Sequence, residues 1–315
     1  SFGGVAWWSG PPGPLGDLMR QAPRQWRRWQ RRHGDLGWRR CRLQLHGPGG
    51  SALARIWPRR FSRVDGQKLR WSLPTALQAA GVERLALGPL GPLTLEPRPG
   101  TLRRRGLSLV LPDRPPLHTD RVVLAAGAGC RGLWPDLPAV LRSSWAGVLA
   151  LEQRPAAVPG DRIQLPRHWQ RPGLERRAAS LTDEEWIVDP GLAPWEGGLL
   201  VGQISLVTPE PATAPEPERA RMEERLRHGL AGWTPGLATL DAPYRQAAVA
   251  FSSDGLPLVG PVPGQPGLWI FTGFSGAFSQ VPVLAPVLAR CLTASLTAPS
   301  ATSAAPLKAL GVLPR

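Results

Sequence analysis

Two adjoining stretches decide the fold: Asp254-Gly-Leu-Pro-Leu-Val-Gly-Pro-Val-Pro-Gly264 and Gly267-Leu-Trp-Ile-Phe-Thr-Gly-Phe-Ser-Gly276. They predict a turn, a short strand, a second turn, an apolar strand, and then a glycine- and serine-rich elbow that opens a helix. A strand that ends in a glycine elbow before a helix presents backbone N–H groups to an electron-rich ligand edge. We therefore expect ligand contacts at residues 273–277, hereafter the C-terminal elbow.

A second candidate lies in mid-chain, where an apolar run from Thr119 ends at Gly127. Residues Gly127-Ala-Gly-Cys-Arg-Gly132 fit the pattern G-x-G-x-x-G, in which glycines let the backbone approach a pyrophosphate. Pro135 and Pro138 break any long helix after this pattern, because proline lacks an N–H group and clashes with the preceding turn. Two interpretations stay open for residues 125–129, the mid-chain turn. They form a secondary dinucleotide contact, or they end a buried strand without any ligand.

Both stretches resemble the FAD-dependent amine and amino-acid oxidoreductases, the superfamily of D-amino-acid oxidase, glycine oxidase and sarcosine oxidase/dehydrogenase. Thr272-Gly-Phe-Ser-Gly276 matches the start of the family segment T-G-F-S-G-H-G, and Asp120-Arg-Val-Val-Leu-Ala-Ala-Gly-Ala-Gly129 is similar to its strand D-x-V-V-x-A-x-G. Ser1-Phe-Gly-Gly-Val-Ala-Trp-Trp8 resembles a small-residue turn that passes close to the flavin ring. The resemblance implies an FAD site whose two turns line opposite ends of one elongated cavity. The implied cofactor-binding residues are Gly3, Gly4, Ala125, Ala126, Gly127, Gly129, Gly273, Phe274, Ser275, Gly276 and Ala277.

The sequence departs from the family pattern at two places. The family elbow continues with His-Gly, whereas this chain has Ala277-Phe278. Where many members place an arginine that binds a substrate carboxylate, this chain has Val249, which lacks the paired donors of a guanidinium. Tyr244 and Arg245 are the candidates for substrate binding, although Arg245 is out of register with the family arginine. The sequence assigns no catalytic side chain.

The expected fold class is α/β with mixed α+β character. The resemblance implies an FAD/NAD(P)-binding Rossmann-like domain, interleaved with a substrate domain that is built on a mainly antiparallel sheet. The FAD-binding domain is expected to contain residues 1–20, 70–142 and 250–292, the substrate domain residues 21–69 and 143–249, and a loose tail residues 293–315. The family's first βαβ unit matches nothing in the chain, which starts without methionine. We therefore expect that unit to lie upstream of Ser1.

Local patterns give a coarse set of elements. Alternating or apolar runs predict strands at residues 38–46, 82–87, 93–96, 107–111, 145–152, 185–188 and 197–206. Helical spacing predicts helices at residues 72–80 and 218–230, the second of which follows a proline-rich connector at residues 209–217.

The net charge of +15 comes almost entirely from arginine, since lysine occurs only at Lys68 and Lys308. Between residues 15 and 32, apolar residues recur at helical spacing among six arginines and predict an amphipathic helix. The apolar positions are Leu15, Leu18, Ala22, Trp26 and Trp29, and the arginines are Arg20, Arg24, Arg27, Arg28, Arg31 and Arg32. An anionic partner such as nucleic acid is one interpretation. Arginine-rich composition with a solvated helix face is the other, and the sequence favours it.

The composition argues against several other classes. An apolar content of 42% is typical of a globular chain, and the apolar runs are too short to predict a membrane span. Cys41, Cys130 and Cys291 are scattered, which predicts neither disulfides nor zinc and fits a reducing, cytoplasmic location. None of the five histidines has a partner at metal-binding spacing, so no metal is expected.

Three functional hypotheses follow. The first is an FAD-dependent oxidoreductase that removes hydride from a C–H bond next to an amine nitrogen, acting on a small amine or amino acid. The second is a flavoprotein that acts on a modified uridine of tRNA, with the arginine-rich helix contacting phosphates. The third is a non-catalytic remnant of the fold that no longer binds FAD. The sequence leaves the oligomeric state open.

Overall fold

A computed structural model describes residues 2–47, 55–97, 107–112, 114–156, 158–233, 235–297 and 300–315. The strands are β1 (Trp38–His46), β2 (Arg55–Val64), β3 (Thr94–Pro97), β4 (Leu107–Val110), β5 (Leu117–Thr119), β6 (Val122–Leu124), β7 (Leu141–Leu151), β8 (Arg162–Pro166), β9 (Glu185–Val188), β10 (Leu192–Trp195), β11 (Gly198–Val207), β12 (Tyr244–Ser252), β13 (Leu258–Pro261) and β14 (Leu268–Thr272). The α-helices are α1 (Pro14–Met19), α2 (Ala22–His33), α3 (Gly66–Ala79), α4 (Cys130–Leu133), α5 (Arg171–Arg177), α6 (Arg219–Ala231), α7 (Pro235–Ala238), α8 (Ala277–Ala294), α9 (Ser300–Ser303) and α10 (Ala305–Ala309).

The large sheet has the described strand order β12-β7-β11-β10-β8-β1-β2, and β9 pairs with β11 at its side. Neighbouring strands of this sheet run antiparallel, except for the parallel pair β1 and β8. The substrate domain was predicted to contain a mainly antiparallel sheet of this kind. Helix α6 covers one face, because its buried side chains recur at helical spacing and pack on Leu149 and Ile204. Those α6 side chains are Met222, Leu226 and Leu230.

The small sheet has the order β13-β14-β6. Strand β14 runs antiparallel to β13 and parallel to β6, with Leu268 opposite Val122 and Ile270 opposite Leu124. Helix α8 covers one face of this sheet, where it packs with the buried Trp269 and with α1 and α2. A separate sheet, β3-β4-β5, lies between α3 and β6 in the chain.

Helix α8 has the length and hydropathy of a membrane-crossing helix, with 18 residues at a mean hydropathy of 1.3. In the structure it is a core helix, with Val283, Leu284, Val287 and Leu288 buried against the small sheet. Its apolar composition is accounted for by this packing.

Two predicted assignments differ from the packing. Helix α2, placed in the substrate domain with residues 21–69, buries Ala22 and Trp26 in the same core as α8. The tail from residue 293 was predicted to be loose, and this is wrong for its described part. Leu307 and Val312 are buried in that core, and the Val259 amide donates to the Val312 carbonyl at 2.7 Å. The linker-like composition concealed these few apolar anchors.

A third difference concerns residues 82–87, which were predicted to form a strand and have no strand assignment. Val82, Leu85 and Leu87 are exposed. A strand is stable only when a neighbour satisfies its backbone groups, and no described segment pairs with this one.

Candidate functional site

The C-terminal elbow and the mid-chain turn lie next to each other. Because β6 and β14 are parallel neighbours, their carboxyl ends meet at one edge of the small sheet. The Thr272 hydroxyl donates to the Gly127 carbonyl at 3.3 Å, which links the two turns directly. The two turns were expected at opposite ends of a cavity, but they lie side by side.

The elbow turns sharply and then starts a long helix. Gly273 has φ +76°, a value that L side chains rarely adopt. The Gly276 carbonyl accepts hydrogen bonds from the Ser279 and Gln280 amides at 2.9 and 3.0 Å. The amides of Ala277 and Phe278 precede these bonds, so they lie at the positive end of the helix dipole. Ser275 and Ala277 are exposed, while Gly273 is buried and Phe274 is half-buried.

The mid-chain turn exposes Ala125, Ala126, Gly127 and Gly129. Gly127 has φ +58°, and a Cβ atom built there would meet no described atom within 4 Å. The backbone at this glycine therefore borders open space. Helix α4 after the turn has only four residues, as Pro135 and Pro138 predicted.

Arg131 supports the mid-chain turn, and sequence reasoning missed this residue. Its guanidinium donates to the carbonyls of Pro135, Leu137, Pro138 and Leu141 at 3.1, 2.7, 2.7 and 2.9 Å. Burial lowers the pKa of Arg131. Thr213, in the proline-rich connector, adds a second support by donating to the Ala128 carbonyl at 2.8 Å. The G-x-G-x-x-G pattern assigns a role to its glycines but none to the arginine that lies between them.

Asp254 has a structural role in the turn before β13. One carboxylate oxygen accepts from the Ser252 hydroxyl at 2.8 Å and from the Leu256 amide at 3.0 Å. The other accepts from the Arg315 guanidinium at 2.7 Å. Burial acts to raise the pKa of Asp254, but hydrogen bonds from Arg315, Leu256 and Ser252 outweigh it and hold the pKa below its ordinary value.

Gly3 and Gly4 pack closely against β2. The Val64 amide donates to the Gly3 carbonyl at 2.8 Å, and a Cβ atom on Gly3 would lie 2.0 Å from the Val64 carbonyl oxygen. A Cβ atom on Gly4 would lie 2.9 Å from the Phe61 ring. This packing by itself requires glycine at position 3, where φ is +72° and a Cβ atom would overlap backbone, and favours a glycine at position 4. The predicted approach of both glycines to a flavin ring stays a prediction.

The two predicted substrate-binding residues lie on opposite faces of β12, because successive side chains of a strand alternate. Tyr244 is buried beneath α6, and burial raises the pKa of its hydroxyl. Tyr244 is therefore a core residue, which corrects its proposed contact with substrate. Arg245 is exposed, with its guanidinium 5.6 Å from the centre of the Trp195 ring. Side chains four residues apart in a strand lie on the same face, so Arg245 shares a face with Val249.

Two surface clefts lie away from both turns. One, of about 460 Å³, is bordered by Trp7, Trp8 and the start of α1. The other, of about 280 Å³, is bordered by His46, His168 and Trp233. Within the described ranges, no three side chains of His, Cys, Asp or Glu come together as a metal site would require.

Comparison with known proteins places these features in a family. The family profile DAO, described as FAD dependent oxidoreductase, matches residues 63–291. Glycine oxidase from Geobacillus kaustophilus superimposes with a TM-score of 0.64 at 17% identity, covering 93% of this chain and 82% of that one. L-amino acid deaminase from Proteus vulgaris gives 0.65 at 13% identity, covering 93% and 84%. These structures show that the chain has the mixed α/β fold of glycine oxidase over most of its length.

A relative with higher sequence identity is the tRNA 5-methylaminomethyl-2-thiouridine biosynthesis bifunctional protein MnmC from Caulobacter sp. (strain K31). It is 33% identical over an alignment of 203 positions that covers 61% of this chain. The chain spans only 27% of that protein's length.

Proposed function

Because the chain belongs to the DAO family of FAD-dependent oxidoreductases, we propose that it oxidises a C–H bond next to an amine nitrogen. The observation that carries this proposal is the parallel pairing of β6 with β14, which brings two glycine turns to one sheet edge. Carboxyl ends of parallel strands are where such folds bind nucleotide cofactors. Bound FAD supplies the hydride acceptor, flavin N5.

The described residues fit a flavin nucleotide in two respects. Gly127 borders open space, so a pyrophosphate can approach its backbone. The first amides of α8 and the positive end of its dipole would stabilise negative charge on the N1–C2=O edge of the flavin. Phe278 stands where the family has glycine, and its carbonyl accepts a hydrogen bond from Trp26 at 2.7 Å, so this position is fixed by packing.

The cofactor site also needs a cover on the outer edge of β6. Among the described strands, β6 pairs only with β14, and Val123 is exposed. The unpaired apolar residues 82–87 are a further element without a partner. We propose that this cover in the FAD-bound protein is a βαβ unit of the kind that the family resemblance implies, paired with β6.

The first test is FAD affinity, measured on the full natural polypeptide from the quenching of flavin fluorescence. Gly127→Leu is expected to weaken FAD binding by about tenfold or more, equivalent to about 1.4 kcal/mol, because the side chain fills the cofactor's approach. Gly197→Leu is the matched control. Gly197 also has a positive φ, +85°, and open surroundings, but it lies in the β10–β11 hairpin of the large sheet.

Two results would overturn this assignment. Equal loss of FAD binding in both variants would mean that backbone strain, and not contact with the cofactor, causes the effect. A natural polypeptide without flavin absorbance and without FAD affinity would instead favour the non-catalytic alternative.

A second candidate substrate is an amine carried on a tRNA uridine. The relative from Caulobacter is named for 5-methylaminomethyl-2-thiouridine biosynthesis on tRNA, and this group has C–H bonds next to an amine nitrogen. Val249 replaces the arginine that would bind the carboxylate of a free amino acid. The substrates are compared by anaerobic loss of visible flavin absorbance after adding glycine, sarcosine or tRNA that bears an aminomethyl uridine. Bleaching by tRNA alone supports this candidate, and bleaching by the free amino acids alone contradicts it.

A further inference from the structure

Helix α2 presents a cluster of exposed arginines, hereafter the arginine face. No acidic partner lies beside them in the described part of the chain, and α2 contains no acidic residue. The arginine face consists of Arg24, Arg27, Arg28, Arg31 and Arg32. Arg20, just before the helix, differs because it forms an exposed ion pair with Asp17 at 3.5 Å.

Elsewhere in the described part of the chain, some exposed arginines have a carboxylate partner, and others, such as Arg70 and Arg84, form no ion pair. Arg39 pairs with Asp35 at 2.6 Å, and Arg177 pairs with Glu185. An arginine-rich composition would not by itself gather uncompensated arginines on one helix. Five exposed arginines that form no ion pair with a described residue, all within nine residues of one helix, therefore argue for an anionic ligand at α2, where the sequence alone favoured composition.

The opposite side of α2 fixes this face in place. Ala22 and Trp26 are buried in the core with α8. The Trp26 indole donates to the Phe278 carbonyl at 2.7 Å, two residues into the helix that starts at the C-terminal elbow. The arginine face is thus a rigid surface on a helix that contacts the proposed flavin site.

The chemistry of this face fits a phosphate backbone. Arg24, Arg28 and Arg31 lie on successive turns, about 5.4 Å apart along the helix axis. Planar guanidinium forks match phosphate oxygens and keep their charge at all physiological pH values. A membrane surface fits less well, because an interfacial helix inserts its apolar side, and here that side is committed to the protein core.

We propose that the arginine face binds the phosphate backbone of an RNA and so directs one of its nucleotides toward the C-terminal elbow. This inference rests on the second candidate of the proposed function, in which the oxidised amine is carried on RNA. It adds to that candidate the surface that recognises the RNA.

The test compares two triple variants of the full protein, using unfractionated tRNA as the probe and fluorescence anisotropy over a range of NaCl concentrations. Arg24→Gln, Arg28→Gln and Arg31→Gln together are expected to weaken binding at least about tenfold and to lower the salt slope by about 2–3, since each lost phosphate contact removes about one. Glutamine keeps the helix propensity of arginine, so the fold is retained.

The matched control removes the same charge elsewhere, through Arg70→Gln, Arg176→Gln and Arg84→Gln, which are exposed positions outside α2. This control is expected to keep the wild-type salt slope. Equal losses in both variants, or no loss in either, overturn the proposal. A third outcome also overturns the proposal, in favour of a membrane surface. In that case the wild-type protein binds phosphatidylserine vesicles and not tRNA, and the arginine-face variant loses the vesicle binding.

The outcome is separable from the proposed reaction. Binding to tRNA is measured without turnover, and the visible flavin spectrum reports whether the cofactor site is intact. If tRNA binds through the arginine face but does not bleach the flavin, the arginine face is confirmed as an RNA-binding surface and the RNA-borne amine is rejected as substrate.

Discussion

The two main sheets can be compared through the central strand β7 of the large sheet and the edge strand β6 of the small one. In the large sheet, β7 lies between β11 and β12, and α6 covers one face. In the small sheet, β6 has a single described neighbour, and the residues at its carboxyl end are exposed. The contrast indicates that β7 lies in the interior of a broad scaffold, while β6 lies at an open edge and leads into the exposed mid-chain turn.

The largest expected effect is in hydrogen exchange. Amides of β7 should exchange only on global unfolding, whereas those of β6 open locally, so their protection should differ by about a hundredfold or more. Exchange is measured by mass spectrometry with and without FAD. Adding FAD to a form that binds it should slow exchange at β6 and leave β7 unchanged. Equal protection of the two strands without a ligand would refute the open-edge interpretation.

Sequence patterns predicted the elements that depend on neighbours close in the chain. Strand β9 has the bounds predicted for it, and α6 differs from its prediction by one residue at each end. The elbow was predicted because a glycine turn before a helix is a local signal. The parallel pairing that joins it to the mid-chain turn was not predicted, since the family resemblance implied that the two turns line opposite ends of one cavity.

Features that depend on distant partners were missed. Residues 82–87 have strand composition, but no described strand pairs with them. The tail carries few large apolar side chains, and only the fold shows that Val312 meets Val259. The Arg131 guanidinium donates to four backbone carbonyls, which come close together only because the loop after α4 folds back. None of these contacts has a periodic signature.

A smaller effect is expected at Arg131, which supports the open edge. Arg131→Met should destabilise the protein by about 2–3 kcal/mol, because three partly buried carbonyls lose a charged donor that methionine cannot replace. Urea unfolding gives this value, and FAD titration should show a parallel loss of affinity. Arg131→Lys is the control: it restores one donor position and should recover only part of the stability. An unchanged FAD affinity in a destabilised Arg131→Met protein would show that Arg131 stabilises the loop without positioning the mid-chain turn.

The smallest effect is expected at Asp254, which links the C-terminal residues to the turn before β13. Its pKa is lowered in the folded state, so it contributes stability above its unfolded pKa of about 3.9, and this stability is lost as the pH falls through the folded value. Because the side chain is about one-third exposed, the contribution should stay below about 1 kcal/mol. Asp254→Asn should therefore lower the urea midpoint at neutral pH, and its difference from wild type should shrink as the medium is acidified below the unfolded pKa. Arg315→Gln should reproduce part of the neutral-pH loss, since it removes one of the hydrogen bonds that lower this pKa. A difference that stayed constant with pH would mean that the Asp254 charge contributes nothing and that the shape of the turn alone matters.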